Sequence, residues 1–396
     1  MARSVTAKVK PELLAWARTS AKLTEAALAK KIDVDAATIS AWERGDGAPT
    51  IPKLRQIAEA CRRPLLVFYL PAPPTDFTPI RDYRRIDPML SPSDSSALAL
   101  EIRRAQERRE AALELARLLG EPPALAGLRA EGSDPANAAA QVRTQLEVPV
   151  GTQMGWRDSG KALRTWRATL ERFGILIFQM SRVAVQDVRA FSIGASPFPV
   201  IVVNGADSDN GRVFSLMHEL GHVLLGEGGQ CRVRREDEGA DATGRVEAFC
   251  NAFAGELLVP AAALTGHALV RGHSDKQWSD ADLEELARTF SVSRVVIARR
   301  LLSLGRASQK FYQEVHDKYA TVDQAKPKPK KKAGKEGGPD YYRVRVATLG
   351  RSYIRLVFSG LAEGRISELD AAGFLGVKTR GFAKLKQEAF HGEATR

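Results

Sequence analysis

Apolar positions recur at helical spacing over most of the chain, and the breaks between them are short. Leu13, Leu14, Trp16 and Ala17 mark a first helix, and Thr24 is a good N-cap for a second carrying Leu28 and Ala29. A tight break follows at Ile32-Asp33-Val34. Asp35 is expected to cap a third helix with Ile39 and Trp42, ending near Gly45, and Ile51-Pro52 opens a fourth with Leu54, Ile57 and Ala58 facing inward. A helix, a break and a helix within a four-helix unit is the layout of a helix-turn-helix module. Residues 245–260 read as another helix, ended by Pro260 and carrying Glu247, Asn251 and Ala254 along one stripe. Near the other end, Arg351 to Leu361 and Glu368 to Leu375 read as helices; Ser367 caps the latter, and Gly376 and a basic helix ending near Phe390 follow it.

Composition divides this helical chain. Its 396 residues are 44% hydrophobic and 27% charged, enough for two or three domains that each bury a core. Prolines close the first segment at Leu70-Pro71-Ala72-Pro73-Pro74, since they cannot continue a helix. Residues 326–339, rich in Lys, Pro and Gly, have too little apolar surface to fold and read as an extended, self-repelling linker. The expected parts are therefore 1–70, about 75–320, the linker 326–339, and 340–396. The longest apolar runs, Leu65 to Leu70 and Phe198 to Val203, are far too short for a membrane span, and no signal-peptide apolar region is visible at the N-terminus. Three cysteines, Cys61, Cys231 and Cys250, cannot make a disulfide framework. No membrane partner and a reducing cytoplasm are expected.

Charge is concentrated at the ends. Residues 1–80 carry 12 Lys+Arg against 8 Asp+Glu, and residues 321–396 carry 16 against 8, so the two flanks supply the whole net charge of +12. Both flanks can approach phosphate backbones, or simply be solvated surface, whereas the near-neutral middle handles something else.

The sharpest chemistry lies in Phe214-Ser215-Leu216-Met217-His218-Glu219-Leu220-Gly221-His222. Two histidines at i and i+4 share one helix face, so both imidazoles reach one ion, while Glu219, one residue round, is placed for its water and not for the ion itself. A catalytic zinc wants three protein ligands and an open position, and Glu247 on the following helix supplies the third. A structural site of His218, His222, Cys231 and Cys250 is the competing arrangement. It has no Cys-x-x-Cys pairing and leaves Glu219 and Glu247 without roles. Zinc held by His218, His222 and Glu247 lowers the pKa of a bound water, and Glu219 takes its proton as general base and passes it to the leaving amine. An extended substrate is expected to pair with an exposed strand such as Pro199 to Val203. His267 and His273 are oxyanion donors by side-chain chemistry only, and surface or cap histidines on the commoner reading.

The first 60 residues resemble the XRE (Cro/C1-type) repressor domain, through Leu23-Thr24, Leu28-Ala29, Val34, Thr38-Ile39-Ser40, Trp42-Glu43-Arg44-Gly45, Pro49-Thr50 and Leu54. That resemblance implies binding of double-stranded DNA, with Thr38, Ser40 and Arg44 as the base readers. The chain departs from the family pattern at Glu25 and Asp35, acidic where that pattern has Gln and a small polar residue, and at Ala36 and Ala37, where base-reading side chains are common. The metal motif, with Glu247, Asn251, Phe253, Ala254, Leu257, Leu258 and Pro260, resembles the ImmA/IrrE family of zinc metallopeptidases. Arg189–Ser192 and Pro199–Asn204 look like the two strands that precede its active-site helix. The two resemblances together cover about residues 1–310, and their fusion is an arrangement known for that family. They imply a mainly α protein with a small β-sheet (α+β): a helix-turn-helix domain, a zincin-like domain and a short helical C-terminal module. The run Ile366-Ser367, Ala371-Ala372, Leu375-Gly376-Val377 and Leu385 also looks weakly like a second helix-turn-helix. Two functions follow: a zinc endopeptidase that cleaves a repressor or other DNA-associated protein, or a DNA-binding regulator whose zincin domain is a sensor.

Overall fold

The computed structural model describes residues 6–390 apart from 8, 62, 64, 71, 74–82, 85–95, 121–127, 131, 133, 195–196, 227–239 and 320–339. The linker expected at 326–339, and Cys231, lie outside the described residues. The chain divides into two compact units, one of Met1–Arg81 with Asp87–Arg104 and one of Asp82–Ile86 with Ala105–Arg396.

The first unit holds α1 (Pro11–Ser20), α2 (Glu25–Ile32), α3 (Ala36–Arg44) and α4 (Ile51–Ala60). Thr24 caps α2 by accepting from the Ala27 amide at 3.1 Å, as its position in the sequence predicts. Asp33, at φ 55°, takes the left-handed conformation that turns α2 into α3, and Gly45, at φ 88°, ends α3. Asp35 stands at the N-cap of α3 but its side chain makes no capping bond, which corrects the capping role expected for it. Leu14, Ala17, Leu28, Ile39, Leu54 and Ile57 form the core. Arg18 on α1 clamps the unit: its Nε and Nη2 each donate to Glu43 on α3 at 2.7 Å, while Nη1 reaches the Leu23 carbonyl at 3.0 Å. This is the forked geometry in which guanidinium and carboxylate bind most strongly. A longer helix, α5 (Ser96–Leu119), begins in this unit and runs into the second.

The second unit contains a mixed sheet of β2 (Leu176–Met180), β3 (Ala190–Ile193) and β4 (Val200–Asn204), extended by the two-residue β1 (Tyr83–Arg84) in the order β1-β3-β4-β2. β2 runs parallel to β4, and β3 antiparallel to it. The expectation that Pro199 to Val203 offers a substrate edge is overturned. β4 is paired on both sides and buried along its whole length, which its unbroken Val-Ile-Val-Val run reflects. Helices α6 (Pro135–Gln145), α7 (Val150–Met154) and α8 (Ser159–Arg172) precede β2; α9 (Asp209–Gly226) follows β4, and α10 (Ala240–Leu258) packs on α9. Met217, Leu220 and Val223 of α9 and Phe253, Ala254 and Leu257 of α10 join one continuous apolar core with Trp166 and Ile201. Helices α11 (Ala261–Gly266), α12 (Ala268–Arg271), α13 (Asp280–Phe290), α14 (Arg294–Ser303) and α15 (Gln309–Tyr319) complete this part of the unit.

The C-terminal helices are α16 (Tyr341–Leu349), α17 (Arg351–Ala362), α18 (Glu368–Leu375) and α19 (Phe382–Phe390). The sequence pattern located all but α16, whose apolar residues lack a clear helical face. α16 lies against β2. Arg167 on α8 donates to the Ile177 carbonyl at 2.9 Å and the Ala347 carbonyl at 3.0 Å, and Glu171 accepts from the Arg351 amide at 3.3 Å. Gly350, at φ 74°, is required at this junction, because a Cβ there would stand 2.6 Å from the Ile177 oxygen. Burial pushes the Glu171 carboxyl up and the Arg167 guanidinium down, so each depends on the other to remain charged. Glu171→Ala removes the countercharge facing the part-buried Arg167 and the acceptor of the Arg351 amide, and should cost about 1–3 kcal/mol. Urea denaturation of the variant beside wild type measures this, with a loss under about 1 kcal/mol contradicting it.

Candidate metal centre

α9 is set in place at its start. Asn204, fully buried at the end of β4, donates to the Val183 and Val188 carbonyls at 3.1 and 2.8 Å, and its Oδ1 accepts from the Ala206 amide at 2.9 Å. The helix then carries His218 and His222 one turn apart, both buried. Glu247 reaches them from α10, with Oε2 at 3.2 Å from His218 Nε2 and Oε1 at 3.1 Å from His222 Nε2. The two Nε2 atoms are themselves 3.2 Å apart. His218, His222 and Glu247 form the three-residue group, among the described residues, whose donor atoms converge closely enough to hold a metal ion.

The separations test whether a metal fits. Nitrogen and oxygen donors about 2.0–2.1 Å from a tetrahedral zinc lie roughly 3.3–3.4 Å from one another. The observed separations, 3.2 Å between the two Nε2 atoms and 3.1–3.2 Å from each to its own Glu247 oxygen, are close to that size. Among the described residues, no fourth His, Cys, Asp or Glu joins the group.

α10 supplies more than Glu247. Asn251, one turn further on, meets His218 Nδ1 through its Oδ1 at 3.1 Å, an arrangement that fixes the ring and leaves Nε2 as the donor. Cys250 hydrogen-bonds His222. Close helix approach makes this reach possible: at Gly221 on α9 a Cβ would lie 3.0 Å from Cys250 Sγ and 3.3 Å from Cys250 Cα. Any side chain at 221 would push α10 away and open the donor triangle. The far end of α10 is held just as firmly. Its last carbonyls would be orphaned in an apolar core, but Arg143 takes that of Leu257, Gln153 Nε2 that of Leu258 at 2.9 Å, and Arg300 Nε that of Val259 at 3.0 Å. Burial lowers Arg143 to about 10, the electrostatic cost of placing it there.

Glu219 is fully buried, and its Oε2 accepts from Ser192 Oγ on β3 at 2.7 Å. The sequence assigned no role to Ser192. The only available signal was its place in the strand beside the helix that carries the two histidines. His267 serves instead as the N-cap of α12, accepting from the Leu269 amide at 3.3 Å, and His273 stacks on Trp278 with ring centroids 3.8 Å apart. Both are thus structural in this fold, as the commoner reading of each had it. In the first unit Arg44 donates to Ser40 Oγ at 3.0 Å and to Asp46 at 3.1 Å, so two of the three expected base readers are bonded to each other on the surface of α3, beside the half-exposed Thr38.

Residues 14–68 match the family model of the helix-turn-helix, and residues 170–302 match the peptidase family model described as the IrrE N-terminal-like domain. The two matches fall in the order of the fused architecture, so the chain joins an XRE-type helix-turn-helix to an IrrE-like domain. No curated protein and no solved structure matches the chain. None of the described helices is long and apolar enough to cross a membrane.

Protons compete for these donors. Burial disfavours the His222 imidazolium, but hydrogen bonds to Cys250 and Glu247 outweigh it and push His222 up to about 11. The two imidazoles hold Glu247 well below the usual carboxylate range against the opposing effect of burial. A metal ion must therefore displace at least one proton at neutral pH, and its affinity should rise with pH. Calorimetric titration of stripped protein with zinc in buffers of differing ionisation enthalpy should report proton release; a buffer-independent heat would contradict it. Asn251→Ala should weaken zinc binding by about 10- to 100-fold, measured by chelator competition.

Proposed function

We propose that this protein is a zinc-dependent endopeptidase acting in transcriptional regulation, which cleaves a repressor or other DNA-associated protein in the cytoplasm. The observation that carries this reading is the convergence of His218, His222 and Glu247, whose donor atoms approach one another to 3.1–3.2 Å, with Glu219 on the same helix turn. The match of residues 170–302 to a peptidase family model supports it.

His218, His222 and Glu247 would hold the zinc, and Asn251 and Cys250 would orient the two imidazoles. When bound, zinc supplies Lewis acidity toward the scissile carbonyl and the attacking water. Glu219 takes the proton of that water and returns it to the leaving amine. Ser192 anchors one oxygen of the Glu219 carboxylate, so the other is the one that receives the proton. Burial of Glu219 excludes bulk water that would otherwise solvate its charge. Because β4 is enclosed, an extended substrate would pair with β3 on the side away from β4, at Ser192 and Ile193, which no strand among the described residues pairs there. That stretch leads to Gly194, whose added Cβ would lie 3.9 Å from the Val223 Cα on the active-site helix.

His218→Ala and Glu247→Ala should lose most of the bound zinc, while Glu219→Gln retains it and abolishes cleavage. Metal analysis of the purified variants, beside cleavage of a repressor-like partner, tests these roles. Equal zinc loss in all three refutes the division between ligand and base. Full zinc with identical behaviour of wild-type and Glu219→Gln cells favours a sensor domain over a peptidase.

The helix-turn-helix would direct the enzyme to DNA or to a DNA-bound substrate, with Thr38, Ser40 and Arg44 as its readers. Acidic Glu25 and Asp35 sit where a phosphate would approach the helix starts. Glu25 lies 3.8 Å from Arg18, which Glu43 holds independently, so Glu25→Gln should leave the fold intact. Residues 1–75 alone should bind duplex DNA weakly, and Glu25→Gln should tighten binding modestly in an anisotropy titration. Tight, salt-tolerant binding by this segment would refute both statements.

A further inference from the structure

The strongest unassigned surface lies in the C-terminal helices, which neither family model reaches. α18 opens with a complete capping box: Ser367 Oγ accepts from the Asp370 amide at 3.1 Å, and Asp370 accepts from the Ser367 amide at 3.0 Å. It closes on Gly376 at φ 58°, and after the short turn Val377-Lys378 the chain enters a 3-10 turn at Thr379–Gly381 that continues directly into α19. Ala371, Leu375, Val377, Gly381 and Leu385 are buried, whereas Lys378, Thr379, Arg380, Lys384 and Gln387 are exposed. A helix, a glycine turn and a second helix with this alternation is the helix-turn-helix arrangement, in which the second helix presents its outer, N-terminal side chains to a DNA groove.

Three observations fix which face is free. α17 packs against α18 and α19 on one side, through buried residues such as Val357 and the Phe358–Phe382 ring pair at 5.5 Å. α16 pins the turn from behind, with Arg345 Nε on the Leu375 carbonyl at 2.5 Å and the Tyr341 hydroxyl on the Gly376 carbonyl at 3.1 Å. Arg343 takes Glu388, the one acid of α19, at 2.7 Å. Lys378, Arg380 and Lys384 remain outward and make no ion pair among the described residues. Six lysines between Lys326 and Lys335 precede these helices in the sequence. α3 of the first unit offers a poorer surface, with Ala36 and Ala37 at its start and Arg44 bonded to Asp46.

We propose that α18 and α19 form a second helix-turn-helix whose Lys378, Arg380 and Lys384 bind double-stranded DNA, and that this module supplies most of the DNA affinity of the chain. The charge is complementary to a phosphate backbone, and the helix-turn-helix arrangement selects a duplex over a flexible polyanion. The assignment is independent of the peptidase reading.

The test uses the full chain and a fluorescein-labelled mixed-sequence duplex, followed by anisotropy across a salt series. The triple variant Lys378→Ala, Arg380→Ala, Lys384→Ala should bind at least about tenfold more weakly and lower the slope of log affinity against log salt by about 2–3, since each phosphate contact contributes about 0.9. These side chains are exposed, so circular dichroism and zinc content should match wild type. A control that removes the same charge from exposed sites elsewhere, Lys161→Ala, Lys276→Ala, Lys310→Ala, should change binding less than threefold, and Thr38→Ala, Ser40→Ala, Arg44→Ala should weaken it less than the first triple variant does. The proposal is overturned if the first triple variant binds like wild type, if the charge-matched control loses as much, if the loss appears only in the α3 variant, or if polyglutamate or single-stranded RNA competes as well as unlabelled duplex.

Discussion

Everything in the second unit depends on holding three electron-rich donors at van der Waals separation inside an apolar core. Two imidazole nitrogens and a carboxylate, 3.1–3.2 Å apart at their nearest atoms, would drift apart if either supporting helix were free to move. The fold prevents this by letting α9 and α10 approach at Gly221, where only hydrogen stands between the helix backbone and Cys250. From that contact follow the reach of Glu247, the bond of Asn251 to His218 and the bond of Cys250 to His222. One helix thus provides a donor and both ring partners from Glu247, Cys250 and Asn251, residues spaced to lie on one face.

Buried polar groups do the remaining work of positioning. Arg143, Gln153 and Arg300 are costly to desolvate, yet each satisfies a carbonyl at the end of α10 that would otherwise be orphaned. Arg167 and Glu171 play the corresponding part between α8, β2 and the C-terminal helices. Residues outside the metal motif therefore govern the precision of the centre, and a substitution among them would act through geometry and not through chemistry.

The two halves of the proposed function differ in how they meet their targets. On that proposal, a peptidase centre buried between helices would act on a chain brought to it in extended form along β3. DNA is met by exposed cations, and these are unevenly distributed: α3 carries internally bonded or uncharged side chains, while the surface of α18 and α19 carries Lys378, Arg380 and Lys384. In a protein of net charge +12, with the excess at its two ends, the proposed DNA binding and the proposed catalysis would be physically separable.

Local patterns determined much of this in advance. Caps at Thr24 and Ser367, the glycine stop at Gly45, the i and i+4 histidines and the stripe carrying Glu247 depend on neighbours within one or two helical turns, so the linear order suffices to find them. Asp35 shows the limit of such signals, since it holds the cap position and makes no bond. Strand order was decided only by tertiary pairing: Pro199 to Val203 reads equally well as an edge or a centre, and β2 on one side and β3 on the other make it the centre. Ser192 on Glu219, Gln153 on Leu258 and Arg167 on Ala347 join residues 27, 105 and 180 positions apart. Nothing in the spacing of a chain specifies such contacts. They exist because the packed core leaves each buried donor one acceptor within reach.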